Sequence, residues 1–292
     1  LSYFMSFGES LHCFKGLMVF LTFLSIYDYN ILRIERALLA PEDIIKYPAD
    51  GQALYLATCK EMNQCPVRSF YRGLLGTQID LRYYCIDPNG FRAMAMALKH
   101  NNTVEELDLT DNFLNDDACY HMGEMLLSNG VITELNLRGC RIGPQGARRL
   151  FCSLPHNKSL KTLDLSYNKL GDEGMEHLAK AVLYGLNVKK LNLSYNSITG
   201  KGVALLVEPF ETHNKFTYLD LSWNKIYTPG GFAFLEMLSE STCLEVLNLA
   251  WNSLSGCDHS CDDISQGYIR DLHSKRWPCM LCVLCGASFC ES

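Results

Sequence analysis

Residues 160–170 read Leu160-Lys-Thr-Leu163-Asp-Leu165-Ser-Tyr-Asn168-Lys-Leu170, and steps of 28 residues in either direction land on the same pattern. Leu107, Leu135, Leu163, Leu191, Leu219 and Leu247 occupy its first strand position, and Leu109, Leu137, Leu165, Leu193, Leu221 and Leu249 follow two residues later. Five residues after the first leucine stand Asn112, Cys140, Asn168, Asn196, Asn224 and Asn252, and an apolar residue from Leu114 to Leu254 comes two further on. One more step back finds Ile79, Leu81 and Ile86 in register, with Tyr84 at the Asn position, so the array has seven units.

Each unit reads as a strand followed by a helix. The Leu-x-Leu pair alternates as a strand does. The Asn amide can satisfy backbone groups left unpaired where the strand turns, so Asn112, Asn168, Asn196, Asn224 and Asn252 are expected to form a structural ladder along the array. Glycine-rich turns at Gly143-Pro-Gln-Gly146, Gly171-Asp-Glu-Gly174 and Thr199-Gly-Lys-Gly202 mark helix starts. Helical i, i+4 apolar pairs follow: Met94 with Leu98, Met122 with Leu126, Leu150 with Leu154, Leu178 with Val182, and Leu206 with Phe210. The expected fold is an α/β solenoid curved as a horseshoe arc, with strands inside and helices outside, and with stability close to a sum of neighbour interfaces.

This 28-residue unit resembles the ribonuclease-inhibitor class of leucine-rich repeats over residues 77–254. Tyr55-Leu-Ala-Thr-Cys59, Cys65-Pro-Val-Arg-Ser-Phe70 and Leu219-Asp-Leu-Ser-Trp-Asn224 are similar to the leucine-rich repeat-containing protein 74 family. The resemblance implies an N-terminal cap before the first unit. The resulting division is an atypical segment at 1–28, a cap at 29–76, the seven-unit array at 77–256, and a Cys-rich tail at 257–292.

The ends fit the repeat poorly. Lys15 precedes a short apolar run to Ile26 that looks like the front of a signal peptide. No small-x-small cleavage site follows, and its roughly ten apolar positions are half of the ~20 needed to span a bilayer. A buried or amphipathic helix, or a misassigned exon, is the plainer reading. At the other end, Asp262 and Gln266 stand where helix apolar residues are due, and Lys275 where a strand leucine belongs. Together with the start at Leu1, this reads as an array cut short. Cys257, Cys261, Cys279, Cys282, Cys285 and Cys290 supply enough thiolates for zinc, but their spacing matches no zinc module, and a non-native tail is the preferred reading.

Composition excludes several functions. Among 292 residues, 26 basic and 32 acidic side chains give a net charge of −6, which argues against a phosphate-backbone binder. No phosphate loop, His-Glu-x-x-His helix or Gly-x-Ser-x-Gly elbow is present, so no enzyme and no cofactor are expected. His100, His121, His156, His177 and His213 are expected at the surface. The sequons at Asn101 and Asn157 fall in loops that a glycan could reach, and Asn192 falls on the sheet; all three read as coincidence in an Asn-rich repeat. Cys85, Cys119, Cys140, Cys152 and Cys243 are expected to be buried or ladder residues in a reducing, cytoplasmic compartment.

Two columns cross the sheet. Between the strand leucines run Asp80, Asp108, Asn136, Asp164, Asn192, Asp220 and Asn248; just before the ladder Asn run Tyr83, Asp111, Gly139, Tyr167, Tyr195, Trp223 and Trp251. One reading has these residues following the repeat and packing the sheet surface. The other is a protein-binding stripe anchored by Tyr167, Tyr195, Trp223 and Trp251 with Asp164 and Asp220 as polar partners, because Tyr and Trp are enriched in binding hot spots. Small neighbours at Ser166, Ser194, Ser222 and Ala250 leave the rings accessible. Lys161, Lys189 and Lys190 oppose Glu105, Glu106 and Glu134 in sign, giving a charge gradient that could orient a partner. The expected function is a monomeric, non-enzymatic scaffold for an unknown protein, with no nucleic acid and no membrane. The alternatives are a GTPase-activating regulator of a small GTPase, or a sensor fragment of an NLR-like receptor.

Overall fold

A computed structural model describes residues 47–227, 230–238, 243–252 and 281–283. The N-terminal apolar run, the first part of the cap, and all six tail cysteines except Cys282 lie outside the described residues. Among the described residues, two helices, α1 (Gln52–Glu61) and α2 (Arg68–Gly73), precede the first strand. Tyr55 joins them: its ring meets Phe70 edge-on at 4.6 Å and its hydroxyl accepts the Val67 N–H at 3.0 Å.

From there strand and helix alternate. Strands β1 (Gln78–Asp80), β2 (Glu106–Asp108), β3 (Glu134–Asn136), β4 (Thr162–Asp164), β5 (Lys190–Asn192), β6 (Tyr218–Asp220) and β7 (Val246–Asn248) pair in parallel, each register advancing by 28 residues. The helices between them are α3 (Pro88–Leu98), α4 (Asn115–Ser128), α5 (Pro144–Ser153), α6 (Gly171–Leu183), α7 (Gly200–Ala204), α8 (Val207–His213) and α9 (Gly230–Leu238). The sheet does not close into a barrel. This is the expected α/β solenoid, and every i, i+4 pair named above is buried in one continuous core. Among the described residues, only the fifth unit interrupts its helix, between α7 and α8. Pro209 has no N–H to give, and its ring crowds the carbonyl four residues back.

The sheet also continues past β7. Strand β8 (Leu281–Val283) pairs with it in parallel, Cys282 opposite Leu247, seven residues beyond the 28-residue step. The tail therefore contributes a strand, set by a longer connection rather than by the repeat's spacing.

A 56-residue alternation underlies the 28-residue one. Asp87, Gly143 and Thr199 hold extended backbone before helices starting at 88, 144 and 200, whereas Asn115 and Gly171 begin their helices in the left-handed region. The second kind of unit caps the first. Asp116 Oδ1 accepts the Gly143 N–H at 2.6 Å, and Asp172 accepts the Thr199 N–H at 2.8 Å and its hydroxyl at 2.7 Å. Room for these carboxylates requires glycine one helical turn on. A Cβ at Gly146 would lie 2.5 Å from Asp116 Oδ1 and 2.8 Å from Ile142 Cγ2. Gly146→Ala is therefore expected to cost about 1–3 kcal/mol in denaturant unfolding, and Asp116→Ala in the same chain should recover part of that loss.

Two residue classes depart from expectation. Cys119 and Cys140 are buried, but Cys85, Cys152 and Cys243 are exposed, because they stand on turns and outward helix faces rather than at core positions. His121 is half-buried rather than fully exposed. Desolvation, helped by Arg92 and Arg149 and opposed by Asp117, depresses it to about 4. The unfolded chain thus binds a proton that the folded chain refuses between pH 6.5 and about 4, so stability should fall as pH drops through that window. His121→Gln is expected to flatten the slope, as measured by urea midpoints at pH 7, 5.5 and 4.5.

Candidate functional site

The ladder position is filled by buried amides. Asn168 Nδ2 donates to the carbonyls of Leu137 and Leu165, both at 2.9 Å, while its Oδ1 accepts the Ile142 N–H at 2.9 Å. Asn112, Asn196, Asn224 and Asn252 repeat this bridging between adjacent units. Cys140 has one weak donor for the same place and gives it to the Leu109 carbonyl at 3.1 Å. Tyr84 turns outward instead, its hydroxyl 2.6 Å from Ser69 Oγ.

A second ladder runs along the helix C-termini, and two of its rungs are the Asn101 and Asn157 of the sequons that read as coincidence. Asn101, Asn129 and Asn157, again 28 apart, are buried. Asn157 Nδ2 donates to the carbonyls of Leu126 and Asn129, and Oδ1 accepts the N–H groups of Ser159 and Leu160. Asn101 is held likewise by Asp50, Leu74, Thr103 and Val104. With both amide hydrogens engaged, neither nitrogen is open to a sugar.

The Asp/Asn column caps strand ends. In every unit its Oδ1 accepts the N–H two residues on, from Arg82 on Asp80 through Ala250 on Asn248. From Asp108 onward Asp and Asn alternate so that an amide faces a carboxylate: Asn192 Nδ2 meets Asp164 Oδ2 at 3.0 Å, and Asn248 Nδ2 meets Asp220 Oδ2 at 3.0 Å. Asp220 is buried and also accepts from Tyr218. Of the two expected polar partners, only Asp164 retains exposure.

The next column is where the chain turns left-handed. Tyr83, Asp111, Gly139, Tyr167, Tyr195, Trp223 and Trp251 all have φ between 53° and 66°. Their N–H groups extend the sheet by one more rung, as from Tyr167 to the Ser194 carbonyl at 2.9 Å and from Trp223 to the Ala250 carbonyl at 2.9 Å. Glycine takes this backbone without penalty and Asn or Asp with little, while a bulky residue costs about 1–2 kcal/mol. Four consecutive units nevertheless place a Tyr or Trp there.

Those rings form one stack. Tyr167 and Tyr195 lie 3.9 Å apart at 18°, Tyr195 and Trp223 4.9 Å at 13°, and Trp223 and Trp251 4.5 Å at 16°. The spacing follows from the ~4.8 Å between neighbouring strands, which leaves stacked rings in van der Waals contact. Where Gly139 supplies no ring, the Arg138 guanidinium covers the outer face of Tyr167 at 3.9 Å. Ser166, Ser194, Ser222 and Ala250 are buried beneath. The ring faces are thus largely spent on one another, and their edges point outward. Tyr167, Trp223 and Trp251 remain 42%, 43% and 53% exposed. Desolvation, with Tyr167 beside it, pushes the Tyr195 hydroxyl up to about 12, so it stays protonated and able to donate.

A family model described as leucine-rich repeat matches residues 100–120, 129–151, 156–179, 186–207 and 212–235, five successive units of the array. The chain carries leucine-rich repeats. Among solved structures, one titled "Leiomodin-1 Actin-Binding Site 2 (ABS2)" is similar, with 24% identity over 39% of this chain and 68% of that chain and a TM-score of 0.37. Among the described residues of the repeats, no helix is long and apolar enough to cross a membrane.

Proposed function

We propose that this chain is a non-enzymatic interaction module that binds another protein on the open, concave face of its sheet. The supporting observation is the aromatic column. Four bulky side chains occupy a left-handed position that Gly139 fills at no cost in the same column, and they expose ring edges over successive strands. Strained residues persist where the surroundings over-determine them, commonly at binding sites. Mutual stacking, worth about 0.5–1.5 kcal/mol per pair, offsets the strain but leaves the exposed edges unaccounted for.

In this reading Tyr167, Tyr195, Trp223 and Trp251 are the anchors and Asp164 a polar partner, while Asp220 serves the sheet. The 28-residue strand-helix unit supports the ribonuclease-inhibitor class of leucine-rich repeats. A scaffold of a reducing, cytoplasmic compartment is consistent with the buried thiols Cys59, Cys119 and Cys140. Hydroxyl-radical footprinting of the chain alone and with its co-purified partner tests the face. Protection at Tyr167, Tyr195, Trp223 and Trp251 is expected; protection confined to α3–α9 would contradict it.

A further inference from the structure

The open face is polar along its length in two senses, chemical and electrostatic. The lip and open face of β1–β3 carry six carboxylates, Asp80, Glu105, Glu106, Asp108, Asp111 and Glu134, against two arginines, Arg82 and Arg138. Both arginines are engaged: Arg82 pairs with Asp80 at 2.6 Å, and Arg138 lies on the Tyr167 ring. Glu105, Asp111 and Glu134 are exposed. Over β4–β7 the charges balance, Lys161, Lys189 and Lys190 against Asp164, Asp220 and Glu245, and the aromatic ridge dominates.

Resting on the binding role proposed above, we infer that the occupant is an extended protein segment that crosses the strands with basic residues over β1–β3 and aromatic side chains over β4–β7. Two arguments fix this chemistry. The uncompensated carboxylates attract Lys and Arg and repel an acidic segment. The ridge offers ring edges, the electropositive part of an aromatic ring, and the partner surface that complements an edge is another ring's face in a T-shaped contact. The geometry sets the length. Seven strands at ~4.8 Å span roughly 29 Å, which an extended chain rising ~3.3 Å per residue covers in about nine residues: three or four basic ones over the first ~10 Å, and the rest over the ~14 Å ridge.

The test uses three fluorescein-labelled nine-residue peptides titrated by anisotropy onto the full chain. One has a Lys/Arg block followed by a Tyr/Phe/Pro block, one has the same residues alternating, and one has the basic block replaced by Glu. The blocked basic peptide should bind at least tenfold more tightly than either control and should weaken as salt rises. Glu105→Lys with Glu106→Lys and Glu134→Lys should erase the preference for the basic block while leaving weak binding through the ridge. Trp223→Ala with Trp251→Ala should abolish binding of all three. Equal affinity for the blocked and alternating peptides, preference for the Glu peptide, or no binding by any of them at 1 mM would overturn the inference. Loss on charge reversal with retention in the double Trp variant would instead overturn the aromatic reading and leave the electrostatic one standing.

Discussion

Asn196→Ala is expected to destabilise the array by about 2–3 kcal/mol. The side chain is fully buried, and its removal takes one of two amide donors from each of the Leu165 and Leu193 carbonyls, which keep Asn168 and Asn224, and orphans the Leu170 N–H, a group costing about 1–3 kcal/mol when buried without a partner. The two carbonyls belong to different units, so the loss falls on an interface as well as on a turn. Because a repeat array is stabilised by neighbour interfaces, a defect in the fifth unit should also separate unfolding into two transitions. Urea titration followed by circular dichroism would show a biphasic curve with a lower apparent m for each phase. Asn252→Ala, in a half-buried end unit, should cost closer to 1 kcal/mol. A change under about 1 kcal/mol at Asn196 would mean that the ladder contributes little beyond its own desolvation.

The second large effect is on binding. Trp223→Ala with Trp251→Ala is expected to weaken partner binding by at least a hundredfold, since truncation of a central hot-spot aromatic costs about 2–4 kcal/mol. Both rings stand on the exposed end of the stack, and neither contributes to the leucine core, so folding should persist. Isothermal titration with the captured partner, alongside thermal melts of both proteins, separates the two effects. A hundredfold loss of affinity is expected in a variant that still folds, its melting point lowered by no more than the two forfeited stacking contacts. Equal affinity would remove the ridge from the interface.

The array was legible because its signals are periodic. Leucines at 28-residue spacing define strand positions, and the i, i+4 pairs define the buried helix faces; neither depends on any long-range detail. What escaped was information carried by conformation or by a shared partner. Asn101 and Asn157 were visible at repeat spacing and their sequons read as coincidence, but nothing in one dimension marked them as rungs. The 56-residue alternation is written in Asp116 and Asp172 and in Gly146 and Gly202, yet its reason is a carboxylate reaching into the next unit, which one-dimensional spacing does not disclose.

The candidate face divides in the same way. Listing the column revealed four aromatics in succession, but not that all seven members share a left-handed backbone, although Asp111 and Gly139 in that column are residue types that favour it. The Asp/Asn column looked like a polar surface available to a partner. In the structure its side chains first satisfy the strand ends beneath them, and Asp220 has no capacity to spare. Arg138 escaped notice because it fills the place of a missing ring from the neighbouring column.

The most direct test separates the stack's contribution to folding from its contribution to binding at one residue. Tyr195→Gly relieves about 1–2 kcal/mol of backbone strain and forfeits two stacking contacts of about 0.5–1.5 kcal/mol each. Stability should therefore stay within about 2 kcal/mol of the parent, while the gap left in the ridge breaks the interface. Urea unfolding and titration with the captured partner, measured on the same preparation, should give a near-parental midpoint together with at least a tenfold loss of affinity. A large fall in stability with affinity unchanged would show instead that the rings serve the sheet alone.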